Sequence, residues 1–375
     1  MTDDVPGLDV AGLGAWLAAA HPDLLAGGGA DTALTATVIA GGRSNLTYAV
    51  DGATRPLIVR RPPLGHVLSS AHDMRREHRV ISALAGSPVP VPVAVDVVDD
   101  AEAGRVTGTV FFVMERAPGR ALSRPRQNAE FTPGALRSLS LELARHLADL
   151  HAVDPDAVGL GDFGKPEGFL TRQLATWRRQ LDASRSRETP ALDRLQAALD
   201  EGVPETTRTG IVHGDYRLDN ALVVGTGDEA HISAILDWEM ATLGDPLVDV
   251  GMFALYWEIG DLPGALAGVV PTAVDPSAGY PSLDELVAEY AAHGGIPVPD
   301  LSWYRAFAAY KLAVILEGIH YRYQQGGTVG EGFDQIGGLV EPLANKGLSS
   351  LPADVRPVGT EPVETEPAET ESGTR

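Results

Sequence analysis

One stretch constrains this chain more than any other: Ile211-Val212-His213-Gly214-Asp215-Tyr216-Arg217-Leu218-Asp219-Asn220. An apolar run, Ala234-Ile235-Leu236, follows a short way on and ends at Asp237-Trp238-Glu239. The apolar flanks read as short strands, so polar residues are being delivered from inside a core rather than from a loose surface loop. A loop residue and a strand-end residue converge if the loop packs against the strand pair that follows it. A fold in which it does can bring Asp215, Asn220 and Asp237 together.

These residue types suit phosphoryl transfer, which needs positioning and charge neutralisation more than covalent help. One carboxylate must sit beside the acceptor hydroxyl, to orient it or take its proton, and Asp215 is the candidate. Magnesium prefers oxygen ligands and keeps several waters, so one amide oxygen and one carboxylate suffice to hold it. Asn220 and Asp237 are the candidates. Only Asp215, not Asp219, has the right offset to Asn220. The competing reading is a turn rich in capping acids and amides. Against it, two motifs agree in order and spacing. His213 reads as a loop hydrogen-bonder rather than an acid or base.

His213-Gly214-Asp215 with Asn220, then Leu236-Asp237-Trp238-Glu239 and Leu243-Gly244-Asp245-Pro246, resembles the aminoglycoside phosphotransferase and choline kinase superfamily. Within it, the pattern is similar to the branch related to the kinase-like domain of some acyl-CoA dehydrogenases. The resemblance runs from about residue 8 to about residue 345. Gly214 stands where protein kinases usually carry Arg, and no Ala-Pro-Glu follows Asp237; both fit a small-molecule kinase rather than a protein kinase.

The resemblance implies roles for the N-terminal third. Thr37-Val38-Ile39-Ala40, then Gly41-Gly42-Arg43-Ser44-Asn45, then Leu46-Thr47-Tyr48-Ala49-Val50 reads as strand, glycine turn, strand. By itself this is an ordinary hairpin. Placed before Asp215 it resembles a nucleotide-covering loop, with Gly41 and Gly42 freeing backbone amides and Ser44 and Asn45 at the tip. Leu57-Ile58-Val59-Arg60-Arg61 is a strand ending in two arginines where kinase-like folds put a lysine. Neighbouring strand residues face opposite ways, so only one can point at ATP, and Arg60 is the expectation. Residues 72–85 read as a helix that places Glu77 to pair with that arginine. Met114-Glu115-Arg116 marks the hinge whose backbone would meet an adenine edge, although Met114 equally reads as core.

Elsewhere the periodicities describe packing. Leu13, Trp16, Leu17, Ala20 and Leu24 lie near one face of a helix over residues 8–25. Residues 93–98 and 109–114 read as an antiparallel pair. Leu136, Leu139, Leu143, Leu147 and Leu150 form a buried helical stripe that His151 closes. Residues 160–200 are expected to cover part of the acceptor pocket. Asp245 reads as a loop anchor and Asp249 as a cap or brace of the next helix. Trp303, Phe307, Tyr310, Val314 and Tyr321 are a second stripe that reads as core; any of them that line a pocket, with Glu317 and His320, are expected near the acceptor site.

Composition narrows the rest. With −22 formal charge, a nucleic-acid binder is disfavoured. There are no cysteines, which excludes disulfides, zinc-thiolate sites and a thiol nucleophile, and suits a cytoplasmic protein. No apolar run is long enough for a membrane span, and the acidic Asp3-Asp4 start does not resemble a signal peptide.

The expectation is an α+β, bilobal protein-kinase-like fold. Residues 1–115 would form an N-terminal helix plus a small antiparallel-sheet lobe, residues 116–351 a mainly helical lobe, and residues 352–375 an acidic disordered tail. The expected activity is ATP- and Mg2+-dependent transfer of the γ-phosphate to a hydroxyl of a small molecule. The acceptor stays open between an amino sugar, a hydroxyacyl thioester and another metabolite. A nucleotide-binding regulator without activity is the alternative, motivated by arginine in place of lysine.

Overall fold

In the computed structural model, residues 5–26, 33–39, 45–64, 73–262, 270, 272–294, 297–298, 300–326, 333–353 and 355 are described. Gly41, Gly42 and Ser44 of the glycine turn, and most of the C-terminal tail, lie outside them.

The small lobe is a five-stranded antiparallel sheet in the order β1-β2-β3-β5-β4. Its strands are β1 (Thr35–Val38), β2 (Leu46–Asp51), β3 (Leu57–Arg61), β4 (Ala94–Asp99) and β5 (Val110–Glu115). Alternation along these strands divides the sheet between two cores. Tyr48, Val50, Leu57, Val59, Phe111 and Val113 face outward and are covered by Leu13 and Leu17 of α1 (Val10–Ala20). Ala49, Ile58, Phe112 and Met114 face inward and join the core of the rest of the molecule. Helix α2 (Met74–Leu84) lies on that inner face. Asp73 caps it, and Val80, Ile81 and Leu84 are buried.

Helix α2 also ties the lobes together. Arg76 donates to the carbonyls of Phe163, at 2.8 Å, and Ala241, at 3.3 Å, and its guanidinium lies 4.1 Å from the centre of the Phe163 ring. One turn on, Arg79 donates to the Gly159 carbonyl at 2.8 Å and pairs with Asp162.

After β6 (Arg120–Ala121) the large lobe is mainly helical: α3 (Pro133–Ala152), α4 (Phe169–Ser184), α5 (Pro190–Glu201), α6 (Leu247–Trp257), α7 (Leu283–Gly294), α8 (Ser302–Gln324), α9 (Phe333–Ile336) and α10 (Val340–Ser350). The leucine stripe of α3 is buried, and Thr132 with Pro133 begins that helix. Helix α8 runs through the middle, packed against α4, α5, α6 and α10. Two short antiparallel units complete this lobe: β7 (Gly210–Val212) with β10 (Thr242–Gly244), and β8 (Ala221–Val224) with β9 (His231–Ile235) and β6. The fold is the bilobal, protein-kinase-like α+β architecture expected from the motifs. Among the described residues no helix is long and apolar enough to cross a membrane.

Candidate active site

The loop between β7 and β8 carries Asp215 and Asn220; the turn after β9 carries Asp237. Pairing of β8 with β9 sets Ala221 opposite Ile235, and one step beyond it the Leu236 N–H donates to the Asn220 carbonyl at 2.7 Å. That extra rung brings Asn220 beside the residue preceding Asp237. The Asn220 amide nitrogen donates to the Asp215 carbonyl at 2.8 Å and to Asp215 Oδ2 at 3.1 Å. With its nitrogen committed, the amide oxygen of Asn220 is the atom left for a cation.

Asp237 is the only non-glycine with a positive φ among the described residues (φ 67°, ψ 59°). Such a left-handed turn costs a side-chain-bearing residue about 1–2 kcal/mol and is least unfavourable for Asp or Asn. It turns the carboxylate toward the small lobe, where Asp237 Oδ1 lies 3.7 Å from Arg60 Nη2. Arg60 in turn donates through Nη1 to Glu77 Oε1 at 2.5 Å. Sheet alternation sorts the two arginines. Arg60 shares the inward parity of Ile58, whereas Arg61 points outward and donates to the carbonyls of Gly7 and Thr107.

Glu77 is buried, and burial pushes its carboxyl up to about 7, against the pull of the Arg60 guanidinium and with a further upward push from Asp237 and Glu239. Asn45, the described end of the glycine turn, donates to Glu239 at 2.8 Å and so joins the small lobe to the turn after Asp237. The hinge segment is less open than its position suggests. Met114 is buried, and the N–H groups of Glu115 and Arg116 donate to the Val93 and Pro56 carbonyls. Neither N–H is free for a base.

The loop itself is held from below. His213 Nε2 lies 2.9 Å from the Leu236 carbonyl and its Nδ1 accepts the Asp215 N–H at 3.2 Å, which assigns the proton to Nε2. Trp238 packs on the same ring at 4.6 Å. Both nitrogens are spent on backbone, so His213 is a structural group. Asp249, fully buried in the first turn of α6, accepts from the backbone N–H of His213 (2.6 Å) and of Gly214 (2.8 Å) and lies 3.3 Å from His151 Nε2. Burial pushes its carboxyl up, but the His151 contact and the amide of Gly214 more than offset this and hold it below its ordinary value. Asp249 does not cap α6, whose N-cap is Pro246 without a side-chain bond; its oxygens reach back to the loop instead. Asp219 is paired with Arg217, whose guanidinium lies 4.3 Å over the Tyr256 ring. Asp219 is thereby neutralised, while Asp215 stays available. Burial and the Asp215 charge raise Tyr256, keeping it a neutral hydroxyl beside that carboxylate.

A cavity of about 60 Å³ lies against this loop, lined by residues that include Phe169, Val212, Met240, Phe307 and Lys311. Phe169 and Gln173 of α4 supply part of its wall. Glu317 is engaged elsewhere, by Arg187 at 2.7 Å. The motifs did not single out Lys311. The one signal was a lysine set in the otherwise apolar run Phe307 to Leu316.

Residues 35–307 match the model of the phosphotransferase enzyme family. The chain is 34% identical over 304 residues to mouse acyl-CoA dehydrogenase family member 10, covering 81% of this chain and 28% of that protein. It is 30% identical over 329 residues to human acyl-CoA dehydrogenase family member 11, covering 86% of this chain and 41% of that protein. It thus spans well under half the length of either relative. Among solved structures, a candidate aminoglycoside phosphotransferase from Ralstonia eutropha superposes with a TM-score of 0.75 at 31% identity, over 92% of this chain and 98% of that one. The aminoglycoside phosphotransferase APH(4)-Ia, as a thermostable mutant in complex with AMP-PNP and hygromycin B, shares the fold with a TM-score of 0.55 at 16% identity, over 84% and 93% of the two chains.

Proposed function

The chain belongs to the phosphotransferase enzyme family, and from that premise we propose that it transfers the γ-phosphate of ATP, with magnesium, to a hydroxyl group of a small molecule. The observation that supports this reading is that Asn220 bonds Asp215 through its side chain and the residue before Asp237 through its backbone, while Asp237 lies 3.7 Å from Arg60. In it, the Asp215 carboxylate orients the acceptor hydroxyl and takes its proton, with the Tyr256 hydroxyl beside it. Arg60, braced by Glu77, grips the phosphates in place of the usual lysine. The oxygen set of Asn220 and Asp237 fits magnesium, which these two residues would hold. When bound, the ion would neutralise charge on the phosphates.

For the acceptor, the reading favours a partly apolar molecule. Of the residues lining the cavity only Asp249 is acidic, and both its oxygens are engaged with the loop. A polycationic amino sugar would want several free acids there, and this wall of the site supplies none. The name of the mouse and human relatives, acyl-CoA dehydrogenase, agrees with acyl thioester chemistry.

A transfer screen read by mass change, across amino sugars, hydroxyacyl thioesters, amino alcohols and simple sugars, tests both parts. Phosphorylation of the hydroxyacyl set is the expected result. Turnover of amino sugars alone would refute the acceptor class. Binding of ATP with no turnover on any acceptor would point instead to a nucleotide-binding regulator.

A further inference from the structure

The Gly214–Asp215 peptide is gripped from both ends. Its carbonyl, that of Gly214, accepts from Lys311 Nζ at 2.5 Å. Its N–H, that of Asp215, donates to His213 Nδ1 at 3.2 Å. Because a peptide unit is planar, fixing both groups fixes the plane from which the Asp215 side chain departs. Gly214 has φ 89°, and glycine, being achiral, takes positive and negative φ about equally, so its own backbone preference does not hold this geometry. The constraint comes from outside, across 97 positions of sequence.

Lys311 is an odd choice for a structural part. It is buried within α8, and among the described residues no carboxylate lies within ion-pairing distance of it. Its other neighbour is the face of Trp177, with Nζ 5.4 Å from the ring centre, while Asp215 and Asp249 act on its charge from further off. Burial pulls its amine below the ordinary lysine value, against the opposing pull of Asp215 and Asp249. A leucine or methionine would fill the same space without that cost. What the ammonium adds is a directed, charge-assisted hydrogen bond to one carbonyl.

We propose that Lys311 is a positioning residue for phosphoryl transfer. It aims the Asp215 carboxylate by holding the preceding carbonyl, from a helix that also forms one wall of the cavity beside the loop. The role rests on the function proposed above, because a carboxylate needs aiming only if it meets an acceptor.

The test compares Lys311→Met and Lys311→Arg in the full chain, with magnesium, ATP and whichever acceptor the transfer screen identifies. A misaimed catalytic group costs about 100-fold, so Lys311→Met should lose roughly that factor in kcat while the KM for ATP moves by less than about twofold. Lys311→Arg, which keeps a charged donor, should recover at least about tenfold of the loss. Amide hydrogen exchange should rise over residues 213–217 in Lys311→Met and stay unchanged along α8. Unaltered kcat in Lys311→Met, or a loss that Lys311→Arg does not relieve, would overturn the role. If the wild-type chain phosphorylates nothing, the proposed function fails instead, and exchange over 213–217 decides alone: unchanged protection in Lys311→Met rejects the brace.

Discussion

Arg60 on β3 and Glu77 on α2 meet at 2.5 Å, with Glu77 wholly inside the protein and Arg60 nearly so. An arginine thus makes the strand-to-helix ion pair that kinase-like enzymes make with lysine. Its second terminal nitrogen extends toward Asp237, so one planar guanidinium addresses a helix of the small lobe and a turn of the large one.

Glu77 should leave a signature in stability against pH. Its carboxyl is raised from about 4.5 to about 7 by burial, so the folded chain binds this proton more tightly than the unfolded chain. The stabilising contribution of the site is then full below about pH 4.5, falls as pH rises toward about 7 and is flat above it. Urea unfolding of wild type and Glu77→Gln across this range checks it. A stability difference that does not decline with rising pH would contradict the environment described for Glu77.

Asp215→Asn should keep the fold, because Asn220 can still bond the residue 215 carbonyl. Transfer should drop by about 10²- to 10⁴-fold, the usual worth of a positioned base. Nucleotide binding, followed by calorimetry, should stay near the wild-type value. Full activity would remove Asp215 from its role.

Asp237→Asn tests the metal ligand without disturbing the backbone, since Asn tolerates the left-handed turn at this position. Magnesium-dependent nucleotide binding should weaken at least about tenfold, or 1.4 kcal/mol. Asp237→Ala should add a loss of about 1–2 kcal/mol in stability from backbone strain. Unchanged magnesium dependence in both variants would exclude Asp237 as a ligand.

Gly214→Ala should be strongly destabilising. A Cβ there would lie 2.8 Å from Met240 Cβ and 2.9 Å from the Met240 carbonyl oxygen, at a backbone φ that alanine disfavours. Strain and overpacking together suggest about 2–4 kcal/mol, seen as a lower unfolding midpoint. A midpoint equal to wild type would show that the loop relaxes freely.

Much of the site was legible because its signals are local. The step of two along β3 separated Arg60 from Arg61, and the offset to Asn220 separated Asp215 from Asp219. The leucine stripe of α3 announced itself at three- and four-residue steps. The supports of the loop were not legible in that way. Asp249 grips amides 35 and 36 positions earlier, and Lys311 reaches a carbonyl 97 positions back. Such contacts are set by how helices stack, and neither periodicity nor spacing encodes them. The engaged amides of Glu115 and Arg116 are likewise a matter of which strand lies alongside. Gly41, Gly42 and Ser44 lie outside the described residues.

The arginines of α2 give the molecule a spine, like the bound edge of a book. Arg76 and Arg79 stitch that helix to carbonyls and an aromatic ring of the large lobe. Asn45 meets Glu239 close by, two residues before Ala241, whose carbonyl takes Arg76, so Asn45 and α2 reach the same turn of the large lobe. Glu77, on the same helix, holds Arg60 beside that turn, so α2, β3 and the residue before β2 all meet the large lobe at one place.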